Sequence, residues 1–263
     1  TYFLFLSGML FASSGHAQIE VSPPVLKNAT VINEQGDVQL TWISQNDTLI
    51  ISRDSLQISA FYGIDTIWNP DLQTWTDSNS GANQKPRSYK LSILYSGAGS
   101  ESNYFNTIHT NIGLDTCQKE IFLNWTRHVK SNNFRNFNDT IEMAYFNIWR
   151  STDNAPYTQI ATRKPGANGI IDTTFTDEDV EYDHVYKYFI EGVRATDTSI
   201  KSRSNRVTIN TDMPDNPEYI HTERIETDGK PVQLEYSIDK GSELSQYVLL
   251  RSDNLNGPFD TLQ

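Results

Sequence analysis

The side chains that most often do chemistry are sparse in this sequence, and they lack the spacing that catalysis or metal binding requires. Neither H-x-x-x-H nor H-E-x-x-H occurs, so no zinc site is predicted. A nucleophile elbow (G-x-S-x-G), a P-loop and a G-x-G-x-x-G turn are also missing. We therefore expect no catalytic residues, no metal site and no cofactor. The histidines are His16, His109, His128, His184 and His221.

Two chemical features leave alternatives open. Cys117 is the single cysteine, so we interpret it either as a small buried hydrophobic residue or as half of a pair whose partner lies beyond Gln263. A catalytic thiol needs an activating base, and no neighbouring residue suggests one. The acidic run 172–183 has oxygen ligands of the kind that calcium prefers, but its spacing does not match a D-x-D-x-D-G loop. The run is either a calcium site or a solvated turn.

The composition restricts the classes of partner. The chain has 263 residues, which is room for about two to three domains. Its formal net charge is −12, and this argues against nucleic acid, because phosphate binding needs a basic surface. The same charge argues against attraction to an anionic membrane. A mean hydropathy of −0.53 predicts no transmembrane segment.

The first 17 residues have the features of a secretory signal peptide. Residues 2–12 form an apolar run that is too short to span a bilayer. Gly15 and Ala17 occupy the small-residue positions that signal peptidase requires, which predicts cleavage after Ala17. The initiator Met and a basic segment are missing, so we expect an incomplete signal peptide at 1–17. The protein is predicted to be secreted or exposed at a cell surface.

Copies of one pattern fill the rest of the chain. In three blocks, apolar residues alternate and end in an aromatic: 38–42 (VQLTW), 121–125 (IFLNW) and 232–236 (VQLEY). Strict alternation places these residues on one face of a β-strand, with the aromatic in a core. A second apolar block follows each of them and ends in an arginine: Arg53, Arg150 or Arg251.

Repeats one and two also agree further along the chain. Residues 74–77 (TWTD) align with 174–177 (TFTD), and residues 89–93 (YKLSI) align with 186–190 (YKYFI). Short strands separated by Gly, Asn, Asp, Ser and Pro predict an all-β sandwich. Little helix is expected, because no segment shows a sustained apolar period of 3.6 residues.

This pattern resembles the fibronectin type III family. Trp42 and Trp125 stand where that family has a tryptophan that closes strand B. A Ser-Asn pair precedes the last strand at 102–103 and 204–205, as is frequent in the family. The resemblance implies tandem immunoglobulin-like (fibronectin type III) β-sandwiches, a fold that hosts unrelated functions. The implied division is a signal peptide at 1–17, repeat one at 19–111, repeat two at 112–212, a linker at 213–217 and a truncated repeat three at 218–263.

The longest departure from the pattern is an insertion between strands B and C of repeat two, at 127–138. It is basic within an acidic protein, and end loops of rigid sandwiches often bind partners. Alternatively, it folds back onto its own domain or onto repeat one. Trp149 alternates with Ile148, which places it on the outer face of strand C, either as a sugar platform or as cover for a neighbouring strand or domain. The expected binding residues are Arg127, Phe134, Arg135, Phe137 and Trp149.

The chain is similar to large surface proteins of gliding bacteria, whose repeats precede a C-terminal sorting domain for type IX secretion. The similarity rests on the Ala17-Gln18 junction, the Asn/Asp/Thr-rich repeats and the three strand-C arginines. It implies a non-catalytic extracellular array that acts as a spacer, an adhesive or a protein-interaction module. The expected partners are secretion machinery and a protein or surface glycan. The alternative is a set of accessory modules of a secreted hydrolase whose catalytic domain lies beyond Gln263.

Overall fold

The computed structural model of the protein describes most of the chain after residue 21. Within the described residues the regular elements are strands and turns, without a helix. The prediction of an all-β protein with little helix is therefore confirmed for this part of the chain. The described ranges are 22–44, 48–54, 60–94, 101–127, 130–131, 143–212, 217–226, 232–242, 244, 246–252 and 257–262.

The first sandwich packs two antiparallel sheets, with strand orders β1-β2-β5 and β7-β6-β3-β4. Its buried core has the alternating residues Val38, Leu40 and Trp42 on one sheet and Leu49 and Ile51 on the other. The alternation seen in the sequence therefore faces inward, as predicted. The strands are β1 (Val25–Val31), β2 (Val38–Ile43), β3 (Leu49–Asp54), β4 (Phe61–Ile67), β5 (Thr74–Asp77), β6 (Ser88–Ile93) and β7 (Tyr104–Asn106).

A tight turn joins β1 to β2. Gly36 has a φ of +85°, in the left-handed region that glycine adopts without steric cost. The backbone N–H of Asp37 donates to Asn33 Oδ1 at 2.9 Å, and the amide of Asn33 donates to the Asp37 carboxylate at 2.7 Å. These bonds fix the loop that follows β1.

The second sandwich repeats this arrangement, with sheets β8-β9-β13 and β12-β11-β14-β15, and with β16 also paired to β14. Ile121, Leu123 and Trp125 fill its core from one sheet, opposite Phe146 and Ile148. Strand β8 spans the predicted junction of repeats one and two. The strands are β8 (Thr110–Asp115), β9 (Glu120–Trp125), β10 (Lys130–Ser131), β11 (Met143–Thr152), β12 (Thr158–Arg163), β13 (Thr174–Asp177), β14 (Val185–Arg194), β15 (Lys201–Arg203) and β16 (Val207–Asn210).

The two described cores confirm tandem immunoglobulin-like β-sandwiches, but the alignment of residues 89–93 with residues 186–190 was wrong by two positions. Tyr89 lies opposite Arg53, whereas it is Tyr188 that lies opposite Arg150. Tyr89 therefore corresponds to Tyr188 and not to Tyr186. Both Tyr186 and Tyr188 are buried on the inner face of β14, so alternation alone does not distinguish them.

The last part of the chain forms two hairpins, β17 (Ile220–Glu226) with β18 (Gln233–Ile238) and β19 (Leu250–Arg251) with β20 (Asp260–Thr261). The expected strand at 232–236 is thus present as β18, whereas only Leu250 and Arg251 of the second expected block lie in a strand. Tyr236 was expected in a core but is 54% exposed, because the described residues place no second sheet over it.

Candidate functional site

A buried cluster of arginine, aspartate and tyrosine lies inside the first sandwich. Asp77, at the end of β5, accepts a hydrogen bond from Arg53 Nη1 at 2.5 Å and another from the Tyr89 hydroxyl at 2.9 Å. Arg53 Nη1 also donates to the backbone oxygen of Asn79 at 2.6 Å. Burial, and then the negative charge of Asp77, raise the pKa of Tyr89, so its phenol stays protonated. The Asp77 carboxylate thus accepts hydrogen bonds from both neighbouring side chains.

The second sandwich has the same cluster at the matching positions. Arg150 Nη1 lies 2.9 Å from Asp177 Oδ2, and the Tyr188 hydroxyl donates to that oxygen at 2.8 Å. The same nitrogen of Arg150 donates to the backbone oxygen of Asp179 at 2.6 Å. Burial, and then Asp177, raise the pKa of Tyr188. The sequence showed the arginine and the TxTD block in each repeat, but it did not show that they meet.

The acidic run 172–183 is distributed among several partners. Asp177 belongs to the buried cluster, and the Asp179 carboxylate pairs with Arg150 Nη2 at 3.0 Å. Glu181 pairs at 3.0 Å with Nζ of Lys119, which lies in the turn between β8 and β9. Among the residues that the structure describes, no group of three or more histidine, cysteine, aspartate or glutamate side chains is arranged to hold a metal ion. Three carboxylates of the run therefore have ion-pair partners, and Asp172 instead accepts hydrogen bonds from the backbone and the hydroxyl of Thr174.

The insertion of repeat two begins by joining the first sandwich. Its strand β10 pairs antiparallel with β7, with Lys130 opposite Phe105 and Ser131 opposite Tyr104. The side-chain amide of Asn106 donates to the backbone oxygen of Arg127 at 3.1 Å, and the side chain of Arg127 is exposed. The described part of the loop therefore contacts repeat one, as in one of the two alternatives. Phe134, Arg135 and Phe137 lie outside the described residues.

Trp149 lies on the outer face of β11, opposite Phe189 on β14. The two rings stack with centroids 5.7 Å apart and planes inclined by 7°. The ring of Tyr157 contacts Phe189 edge-on at 4.9 Å, and the guanidinium groups of Arg203 and Arg206 each lie 5.6 Å from its centroid. Trp149 is half-buried and covers the neighbouring strand, which leaves less of its face for a sugar.

Cys117 is exposed in the turn between β8 and β9, so its interpretation as a buried residue was wrong. The turn is closed by polar atoms: Asp115 Oδ1 accepts from the backbone N–H groups of Cys117 and Gln118, both at 3.0 Å. This position is at the end of the sandwich and not in its core.

His109 is buried where the chain passes from one sandwich to the next. Its Nδ1 lies 3.1 Å from the backbone oxygen of Ala82, and its backbone N–H donates to Thr126 Oγ1 at 2.9 Å. Burial lowers the pKa of His109 below the ordinary value of 6.5, which favours the neutral ring. The residue is therefore a packing element of the junction.

Comparisons with known proteins give structural similarity alone. No protein-family model matches the chain, and no curated protein matches it. The FN1-FN3 domains of chicken CNTN1 align with 73% of this chain and 69% of theirs, at 11% identity and a TM-score of 0.29. Pectate lyase PelI from Erwinia chrysanthemi, in complex with tetragalacturonic acid, aligns at 20% identity and a TM-score of 0.28. That alignment covers 39% of this chain, which spans 28% of the length of the lyase.

Both TM-scores are low, so the fold assignment rests on the strand order of the chain itself. Three strands in one sheet and at least four in the other, in the order given above, form the sandwich that fibronectin type III domains share with immunoglobulin domains. In the described part of the chain there is no helix of the length and apolarity needed to cross a membrane.

Proposed function

We propose that the chain is a non-catalytic spacer and interaction module on the outside of a cell, built from sandwich repeats with the boundaries given by the sequence. The observation that carries the proposal is the duplication of the arginine–aspartate–tyrosine cluster at matching core positions. A hydrogen-bonded cluster that links three strands stabilises every repeat in which it occurs. A catalytic centre, in contrast, has no reason to recur at the same buried position in each repeat. The buried arginine, aspartate and tyrosine of each cluster thus stabilise the sandwiches.

Extracytoplasmic location is the second part of the proposal. Supporting features are the signal-like segment 1–17 and the net charge of −12. The similarity to surface proteins of gliding bacteria suggests type IX secretion as the route. Antibodies raised against residues 22–212 should label intact cells that produce the protein. Labelling that requires permeabilised cells would place the chain inside the cell and overturn this part.

A replacement experiment tests the spacer role. In the natural protein, residues 22–107 are exchanged for one unrelated β-sandwich of equal length, which leaves the insertion 127–138 in place, and in a second strain they are deleted. A spacer tolerates the exchange but not the deletion, as measured by attachment of the cells to a surface. If the exchange is as harmful as the deletion, the first repeat itself binds a partner, and its spacer role is rejected.

The insertion 127–138 is the binding surface that we propose for a protein or glycan partner, with Arg127, Phe134, Arg135 and Phe137 as contact residues. Exchange of Phe134 and Phe137 for serine should abolish attachment to the partner surface while leaving the melting temperature nearly unchanged. A large fall in melting temperature would show instead that the two rings pack within the protein.

A further inference from the structure

The first strand of the first sandwich has a second buried face. Ala29 and Val31 point into their own core, as alternation requires. Asn28 and Thr30 point the other way, where a sandwich normally meets solvent, yet each is only 8% exposed. Polar side chains that are buried need hydrogen-bond partners, and here those partners lie in the second sandwich.

Residues of β15 provide those partners. The amide of Asn28 donates to the backbone oxygen of Lys201 at 2.7 Å, and its Oδ1 accepts from the hydroxyl of Ser202. The backbone N–H of Arg203 donates to Thr30 Oγ1 at 2.8 Å. The nitrogen and the oxygen of the Asn28 amide therefore both form hydrogen bonds across the contact. These two bonds require one particular register of β1 against β15.

Charged side chains of the second sandwich extend the contact beyond β15. Arg194 donates to the backbone oxygen of Lys27 at 2.9 Å, and Arg206 donates to that of Ile32 at 3.1 Å. Lys187 Nζ pairs with Glu34 Oε1 at 3.1 Å, in the turn that follows β1. These bonds fix the chain from Lys27 within β1 to the turn that follows the strand. We call the surface formed by β1 and its following turn on one side, and β14, β15 and Arg206 on the other, the lateral contact.

A buried carboxylate keeps β15 in place for this contact. Glu191 on β14 is almost completely buried, and it pairs with Lys201 Nζ at 3.3 Å and with Arg203 Nε at 3.1 Å. The two cations are the residues whose backbone groups meet Asn28 and Thr30. The pairs therefore present the backbone of β15 to β1 in a fixed position.

Strand β10 is a second and separate attachment. It belongs in sequence to repeat two but extends the sheet of the first sandwich through β7. Two sandwiches that are joined only by the chain bend freely about the link, whereas two attachments on different strands restrict that motion. We propose that the lateral contact, together with β10, makes the first two sandwiches one rigid unit that unfolds as a whole.

The matching strand of the second sandwich provides an internal control. Gly113 on β8 lies opposite Phe122 as Thr30 lies opposite Gln39, so the two residues hold equivalent positions. A Cβ added at Gly113 would meet no atom within 4 Å. An arginine at Gly113 therefore enters open space, whereas an arginine at Thr30 enters the lateral contact beside Arg203.

Hydrogen–deuterium exchange of the amides of β9 tests the proposal in the full chain. Strand β9 lies in the second sandwich, in the sheet that does not contain β15, so its slowest amides report unfolding of that whole sandwich and not a local change beside Arg203. We expect Thr30→Arg to accelerate exchange of the slowest β9 amides by about tenfold or more. Gly113→Arg should leave exchange of the β2 amides in the first sandwich unchanged.

A milder variant keeps the test decisive if Thr30→Arg does not fold. Thr30→Val preserves the shape of the side chain and removes only the oxygen that accepts from Arg203, and we expect about fivefold faster exchange in β9. Unchanged β9 exchange in a folded variant that exchanges faster in β2 would show that the sandwiches unfold independently. That result would overturn the proposal without affecting the spacer role.

Discussion

Replacement of Asp177 by asparagine should destabilise the second sandwich strongly. The carboxylate is 4% exposed and accepts hydrogen bonds from both Arg150 and Tyr188. The amide of asparagine has the same size, but it lacks the negative charge and replaces one acceptor oxygen by an NH2 group, which faces side chains that are themselves donors. Loss of one member of a buried ion pair costs about 3–5 kcal/mol. Because Arg150 keeps Asp179 as a second carboxylate, we expect about 3 kcal/mol.

The measurement is the free energy of unfolding in urea, followed by tryptophan fluorescence, since Trp125 lies in the same core. Asp179→Asn is the matched control: its side chain is 93% exposed, and its pair with Arg150 should contribute less than about 1 kcal/mol. Asp77→Asn should repeat the large effect in the first sandwich. If Asp177→Asn costs no more than Asp179→Asn, the cluster does not stabilise the fold and the reasoning is refuted.

Two further predictions follow from packing and burial. The folded state lowers the pKa of His109 below 6.5, so the unfolded state binds more protons in acid. The free energy of unfolding should therefore have its full value above pH 6.5 and should fall as the pH drops below 6.5. His109→Gln should weaken this dependence in urea unfolding measured at pH 7.5 and about pH 5.5. Gly192→Ala places a Cβ 2.9 Å from Phe146 and should cost about 1–3 kcal/mol, whereas Gly113→Ala should change stability by less than about 0.5 kcal/mol. Equal effects of the two glycine exchanges would contradict the packing of β14.

The strands could be predicted because local alternation determines which residues face a core. The blocks that end in Trp42 and Trp125 are strands β2 and β9, and both tryptophans are buried. The period of two that identifies a strand is a property of neighbouring residues, so a single sequence displays it. The outward position of Trp149 followed from the same rule, and its stacking on Phe189 agrees with that position.

Contacts between distant strands could not be predicted in the same way. Asn28 bonds to Lys201 across the lateral contact, although 173 positions separate the two residues in the sequence. No residue near Asn28 in the sequence identifies the strand that covers its side chain. The choice between Tyr186 and Tyr188 failed for a related reason, since only the pairing with Arg150 decides it.

The distance between the two sandwiches tests the rigid unit most directly. Cys117 is the only cysteine of the chain and is exposed in the second sandwich, and Asp71→Cys adds an exposed position in the first. Spin labels on both should give one narrow distance distribution by pulsed electron resonance, and Thr30→Arg should broaden it. A broad distribution in the protein without the Thr30 exchange would show that the sandwiches move independently, and it would contradict the account.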